Sequence, residues 1–279
     1  MIPTPPAPSK KRKRGDVTVL SVNVQGVDPD ALCRAVKRIK PDILALQEAP
    51  AQGHTIYKTL NKAVTELNND TSSNTDFEFT NPEVHSEFHA GKFLQVSKKV
   101  HVYADQSVKN YCLIYNKKKL NLTVKPKLLN YAKDRKRQKD VQRVKDMTSA
   151  INGGFGARPP LHMEFEMNSD QKRIGFFLWH APTITDNSHQ TAMKYFEESE
   201  VVEDSKNTNH MTICSGDFND QLSGHFLDFK EGIDHKFDHV VAHKAASHYD
   251  LLNDHRVELD QACTSTQDHF PMAAEFNFK

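Results

Sequence analysis

Apolar positions in this chain come in short runs that stop abruptly at polar groups. Val17, Val19, Leu20 and Val22 make a compact, β-branched run ending at Asn23, which predicts a strand. Asp28-Pro29-Asp30 then offers an N-cap with proline at the first helical position. Leu32, Ala35, Val36 and Ile39 follow as a stripe at helical spacing, and Pro41 stops that helix. "DILALQE" predicts the next strand, closing on Gln47 and Glu48. A helix is expected from about Thr55 to Leu67, then a polar loop, "NNDTSSNTD". Further along, "NYCLIYNKKKLNLTV" reads as a hairpin, and "PPLHMEFEM" and "RIGFFLWHAPT" read as paired strands. A helix over 187–200 and strands at 211–215, 237–242 and 272–278 complete the pattern. Strands outnumber helices and occur both consecutively and alternating with them. That favours an α+β arrangement of two packed sheets with helices outside.

Composition narrows this only a little. The chain has 279 residues, 37% hydrophobic and 26% charged, enough for a sizeable core. No apolar run approaches the roughly 20 residues that span a bilayer, and "MIPTPPAPSKKRKRG" has no apolar stretch behind its basic residues, so a secretory signal is not expected. Cys33, Cys112, Cys214 and Cys263 are far apart and form no metal-ligand spacing, which favours reduced thiols partly buried in strands.

Charge changes the picture more. The net charge of +1 hides a basic tail, Lys10-Lys11-Arg12-Lys13-Arg14, and a second basic stretch over 117–145. That stretch holds twelve Lys and Arg against Asp134 and Asp140. Basicity confined to two places suggests polyanionic partners met at defined sites, nucleic acid above all. Residues 1–15 are read as a disordered tail, and "SKKRKR" within them as a nuclear address that an importin would bind through Lys10–Arg14. Residues 16–279 are read as the folded, catalytic part.

The polar groups that end the strands carry the chemistry. Taken singly, Asn23 or Glu48 suits a turn as well as a site. Taken together, five predicted strands end in Asn23, Glu48, His180, Asp217 with Asn219, and Asp268 with His269. Catalytic residues on loops at one end of a rigid sheet scaffold are a common arrangement. The other thirteen histidines, dense between His225 and His255, show no ligand spacing and read as surface residues.

In order and spacing, "SVNVQG", "LALQEAP", "RPPLHMEFE", "FFLWHAPT", "CSGDFND", "KFDHVVAH" and "QDHFPMAAEF" resemble the endonuclease/exonuclease/phosphatase superfamily, in its deoxyribonuclease I-like branch. "NVQG", "QEA" and "RP" before a strand look most like the nuclease subunit, CdtB, of bacterial cytolethal distending toxins. The resemblance implies a four-layer α/β/β/α sandwich of two mixed sheets flanked by helices. It also implies an endonuclease dependent on Mg²⁺, with Ca²⁺ or Mn²⁺ as alternatives, that hydrolyses DNA in the nucleus of the producing or a target cell. Glu48, Asn23 and Asp268 would meet the metal. His180, Asp217, Asp238 and His269 would be catalytic, with Asp238 orienting His269. Asn219, Arg158 and Asn23 would contact phosphate, although Arg158 equally suits a surface salt bridge. The assignment of acid and base between the two histidines stays open. The superfamily commonly has serine before its final Asp-His pair, and Gln267 stands there in this chain. A phosphatase or phosphodiesterase acting on phosphoinositides is the alternative enzyme, and an inactive nucleic-acid or protein-binding module is a further one.

Overall fold

The computed structural model describes residues 15–25, 27–49, 58–60, 62, 65–66, 110–128, 160–181, 193, 196–197, 199–219, 229–231, 237–243, 250–251 and 271–278. The first apolar run forms β1 (Val17–Asn23), buried along its whole length. It leads into α1 (Pro29–Ile39), which begins as the sequence predicts: the Asp28 carboxylate accepts hydrogen bonds from the backbone N–H groups of Asp30 and Ala31. Lys40, next to Pro41, ends the helix in the left-handed region and donates its backbone N–H to the Val36 carbonyl. Leu32, Ala35, Val36 and Ile39 face inward, as the stripe requires. β2 (Ile43–Ala49) follows, parallel to β1.

Nine further strands follow among the described residues: β3 (Asn110–Tyr115), β4 (Leu120–Leu128), β5 (Leu161–Met167), β6 (Arg173–His180), β7 (Met211–Asp217), β8 (Phe229–Glu231), β9 (Asp238–His243), β10 (Asp250–Leu251) and β11 (Met272–Phe276). One sheet has the order β10-β11-β1-β2-β3 and the other the order β4-β5-β6-β7-β9-β8. Each is mixed, with one parallel pair among the described strands, β1 with β2 and β6 with β7. The sheets pack face to face through alternate residues such as Val17, Val19, Phe165, Phe176, Ile213 and Val240. A second core lies between the five-stranded sheet and α1, through Leu20, Leu44, Leu46, Leu32 and Val36. The outer face of the six-stranded sheet is covered by α2 (Glu200–Thr208), capped by Ser199, and by an aromatic group of Phe177, Trp179, Phe196 and Phe218. This is the four-layer sandwich expected.

Three local expectations are corrected. The segment read as a hairpin over 110–124 is not one: β3 pairs with β2 in one sheet, while β4 pairs with β5 in the other. The chain changes sheets at 116–119, where the buried Asp42 holds the turn. Its carbonyl accepts the Asn116 N–H at 2.9 Å, and its carboxylate accepts from Lys119 Nζ at 2.8 Å and the Thr18 N–H at 2.9 Å. Alternation cannot reveal this, because both strands carry apolar residues on period two and only their distant partners separate them. The helix expected over 187–200 is helical at its described positions 193, 196 and 197, but Ser199 is extended and caps a separate helix, α2, that runs from Glu200 to Thr208. Only Val202 and Ser205 of α2 are buried, too little apolar surface to signal it. Cys33 lies on a helix and not in a strand, while Cys112 and Cys214 are strand residues, and all three are free, buried thiols. At 55–67, the described positions 58–60, 62, 65 and 66 are helical as expected.

Candidate active site

Two parallel pairs, one in each sheet, deliver their carboxyl ends to the same edge of the sandwich. Asn23 closes β1 opposite Gln47 of β2, and His180 closes β6 opposite Asp217 of β7. Asn23 Nδ2 donates to Asp217 Oδ2 at 3.1 Å, a bond between residues 194 positions apart that ties the sheets together at the site. His180 Nε2 lies 3.4 Å from that same oxygen and 3.6 Å from Glu48 Oε1. The imidazole therefore stands between two carboxylates, one from each sheet. Asp217 is fully buried, with Asn23, Glu48 and His180 nearly so. Asp238 opens β9 directly across the ladder from Asp217 and is also buried.

The backbone bends to make this arrangement. Glu48 has φ 51°, in the left-handed region that costs a glutamate roughly 1 kcal/mol. The pairing of β2 with β3 shifts register between Leu46 and Ala49, so a bulge turns the end of β2. Bulges beside functional sites re-aim a side chain, and here the one re-aimed is Glu48. Gln47, also read as a strand-end polar group, points inward and donates to Ser21 Oγ at 3.0 Å.

The "GDFN" segment is held by its neighbour "WHA". Gly216 has φ 143°, and a Cβ there would sit 1.8 Å from the Trp179 carbonyl oxygen. The glycine is needed for close approach of β7 to β6, and the strand continues past it to Asp217. The Asp217 carbonyl accepts the Ala181 N–H at 2.8 Å, and Asp217 Oδ1 accepts the Asn219 N–H at 2.9 Å. Asn219, at φ 53°, returns its amide to the Ala181 carbonyl at 2.7 Å. Phe218 turns into the outer core against Trp179 and stacks on the buried His239. Six of the residues singled out from the sequence, Asn23, Glu48, His180, Asp217, Asn219 and Asp238, are thus brought to one edge. Arg158, Asp268 and His269 lie outside the described residues, as does the tail to Arg14.

One contributor escaped the sequence. The Tyr111 hydroxyl, from β3 of the opposite sheet, accepts the backbone N–H of His180 at 3.1 Å. A tyrosine opening an apolar strand looks like any core aromatic, so nothing in the sequence marks it. Burial works against thiolate chemistry at the described cysteines: it pushes Cys33 up to about 12 and raises Cys112 and Cys214 as well.

Buried carboxylate oxygens beside an amide oxygen suit a hard divalent cation. Among the described residues no group of three or more His, Cys, Asp or Glu is placed to hold an ion by itself. Glu48, Asp217 and Asn23 are donors of the kind such an ion takes beside water and phosphate oxygens. No described helix is long and apolar enough to cross a membrane.

No curated protein matches the chain in sequence. Among solved structures, it is similar to an endonuclease/exonuclease/phosphatase from Bacteroides vulgatus, with 12% identity over 94% of this chain and 99% of that one and a TM-score of 0.55. A mannosyl-6-phosphatase of Bacteroides thetaiotaomicron matches with 12% identity, 94% and 100% coverage and a TM-score of 0.54. A truncated Caenorhabditis elegans TDP2 matches with 13% identity, 94% and 98% coverage and a TM-score of 0.53. At such identities the shared feature is the sandwich fold. The family description Endonuclease/Exonuclease/phosphatase matches residues 20–252, from within β1 to just past β10. With that match spanning most of the chain, and the polar ends of β1, β2, β6 and β7 gathered at one edge of the matching fold, the chain belongs to the endonuclease/exonuclease/phosphatase family of hydrolases.

Proposed function

We propose that this chain hydrolyses phosphodiester bonds of DNA at the edge formed by Asn23, Glu48, His180 and Asp217. The observation that carries the reading is the placement of His180 Nε2 between Glu48 Oε1 and Asp217 Oδ2, with Asn23 bonded to the same Asp217 oxygen. An imidazole held between two carboxylates can hold and release a proton beside a phosphate. Buried amide and imidazole donors stabilise negative charge where it grows in an in-line displacement. Glu48 and Asn23, with Asp268, would hold a Mg²⁺ ion, which when bound supplies Lewis acidity at the phosphate. His180 would donate to a phosphate oxygen or the leaving group, and His269, oriented by Asp238, would serve the attacking water, or the two would exchange these roles. Asp217 keeps His180 and Asn23 aligned, and Asn219 and Arg158 would bind the flanking phosphate.

The motif resemblance to CdtB and the basic tail support action on nuclear DNA, with Lys10–Arg14 as an importin-bound address and residues 16–279 as the catalytic domain. Relaxation of supercoiled plasmid tests the reading. Nicking is expected to need Mg²⁺, stop with chelator, and fall about 100-fold or more in both His180→Ala and His269→Ala. Undiminished nicking by both variants would exclude the assignment. The mannosyl-6-phosphatase among the similar structures favours a second reading, hydrolysis of a phosphorylated small molecule or inositol lipid. Phosphate release from inositol lipids without plasmid nicking selects it.

A further inference from the structure

Hydrogen bonds cross between the sheets on both sides of β2 at the active edge. Asn23 of β1 donates to Asp217 of β7 at 3.1 Å, and the His180 backbone N–H of β6 donates to the Tyr111 hydroxyl of β3 at 3.1 Å. β2 lies between β1 and β3, so these bonds flank the strand that carries Glu48. A single tie lets two sheets pivot about it. A second tie two strands away, a lever arm of about 10 Å, removes that freedom.

The His180 N–H comes to a side chain because the ladder has ended. The Ala181 N–H goes to the Asp217 carbonyl, on the β7 side of β6. Successive N–H groups of a strand point to opposite sides, so that of His180 faces away from β7, on the side of β5. The described pairing of β5 with β6 stops at Leu161 opposite Leu178, where Pro160 precedes β5. His180 lies two residues beyond that last pair, and the hydroxyl takes the place of a strand carbonyl.

Tyr111 also holds a special place in its own sheet. It is half-buried and packs on the core between the sheets. Leu46 of β2 pairs with Cys112 and Ala49 with Asn110, so Gln47 and Glu48 together face the single residue Tyr111. The bulge that turns Glu48 to φ 51° is thus built opposite the tyrosine whose hydroxyl holds His180. One residue is joined to both ends of the 3.6 Å span between Glu48 Oε1 and His180 Nε2. Asp217 differs, because it is the ladder neighbour of His180 within one sheet, and their contact does not cross from one sheet to the other.

We propose that Tyr111 is a positioning residue for the reaction, its hydroxyl setting the distance at which His180 of one sheet stands from Glu48 of the other. It acts through the His180 backbone and touches neither substrate nor metal. Misplacing a reacting group by about 1 Å can cost on the order of 100-fold in rate, so a hydroxyl that fixes its backbone acts on turnover more than on binding. The proposal rests on phosphodiester hydrolysis at this edge.

Tyr111→Phe removes the hydroxyl and keeps the ring, so the packing is retained. In hydrogen exchange of the full chain followed by NMR, the His180 amide is expected to exchange about 10-fold faster or more in the variant. The Ala181 amide, bonded to Asp217, is expected to keep its rate. With Mg²⁺ and a small aryl phosphodiester, kcat is expected to fall about 10-fold while KM stays within about twofold. In the His180→Ala background the same substitution is expected to change kcat by less than about twofold, because the imidazole it positions is gone. A thermal melt of each variant fixes a temperature at which all are folded. Unchanged exchange at His180 overturns the tie. An unchanged kcat in Tyr111→Phe, or an equal loss in the His180→Ala background, overturns the positioning role alone. Failure of the unaltered protein to hydrolyse either the aryl diester or plasmid overturns the hydrolytic reading and the positioning role with it.

Discussion

At the scale of single residues, the site depends on backbone as much as on side-chain chemistry. Gly216 allows β7 to lie against the Trp179 carbonyl, and a methyl group would have to occupy space 1.8 Å from that oxygen. Gly216→Ala is expected to cost about 3 kcal/mol in urea unfolding, since neither strand can shift without disturbing the Asp217 ladder. The thiols behave as core groups. Unfolded thiols titrate near 8.5, while the folded Cys33 is held up to about 12 by burial. The folded state thus keeps its proton over the interval where the unfolded chain loses it, and stability contributed by this group is complete below that interval and falls as pH rises through it. Alkylation of Cys33, Cys112 and Cys214 at pH 8 is accordingly expected to track unfolding, with mass spectrometry finding these sites unmodified in the native protein. Asn23, His180 and Asp217 were legible from sequence because each interrupts an apolar run at its end. Tyr111 was not, because a hydroxyl at the head of an apolar run leaves no trace of what it will bond.

Elements show where local pattern stops being informative. The N-cap, proline and stripe of α1 are all short-range features, and the helix forms where they place it. β3 and β4 are also short-range strands, yet their pairing is set by β2 and β5, far away in sequence. Asp42 settles the matter at the turn, fully buried and bound to Lys119, Asn116 and the Thr18 backbone. Lys119→Met is expected to destabilise the fold by about 2 kcal/mol, because it leaves a buried carboxylate without its cation; the partial exposure of Lys119 keeps the figure below that of a fully buried pair. Plasmid-nicking rates per folded molecule should be unaffected, since this knot lies at the pole away from His180. Circular dichroism melts beside the nicking assay separate the two effects.

For the molecule as a whole, the candidate site exists only because the two sheets are joined. Asn23 comes from one and Asp217 from the other, and neither sheet alone presents Glu48 to His180. A divalent ion held through Glu48 would bind only the folded chain, so saturating Mg²⁺ is expected to raise the melting temperature. At one hundred times the dissociation constant the gain is about 2.7 kcal/mol, roughly 5–8 °C for a chain of this size. Glu48→Gln should melt close to the unaltered protein in chelator and show no such rise with Mg²⁺; an equal rise in both would move the ion to other ligands. The sequence by itself determined the longer strands, though not the short β8 and β10, together with the helix α1, the two-sheet class and the polar groups worth following, because apolar period, capping and strand-end polarity are written within a few residues. Only tertiary structure decided which strands share a sheet, and that Glu48, His180 and Asp217 meet. Those outcomes depend on pairing and packing between segments far apart in sequence, 194 residues for Asn23 with Asp217 and more for β1 with β11, where no local pattern reaches.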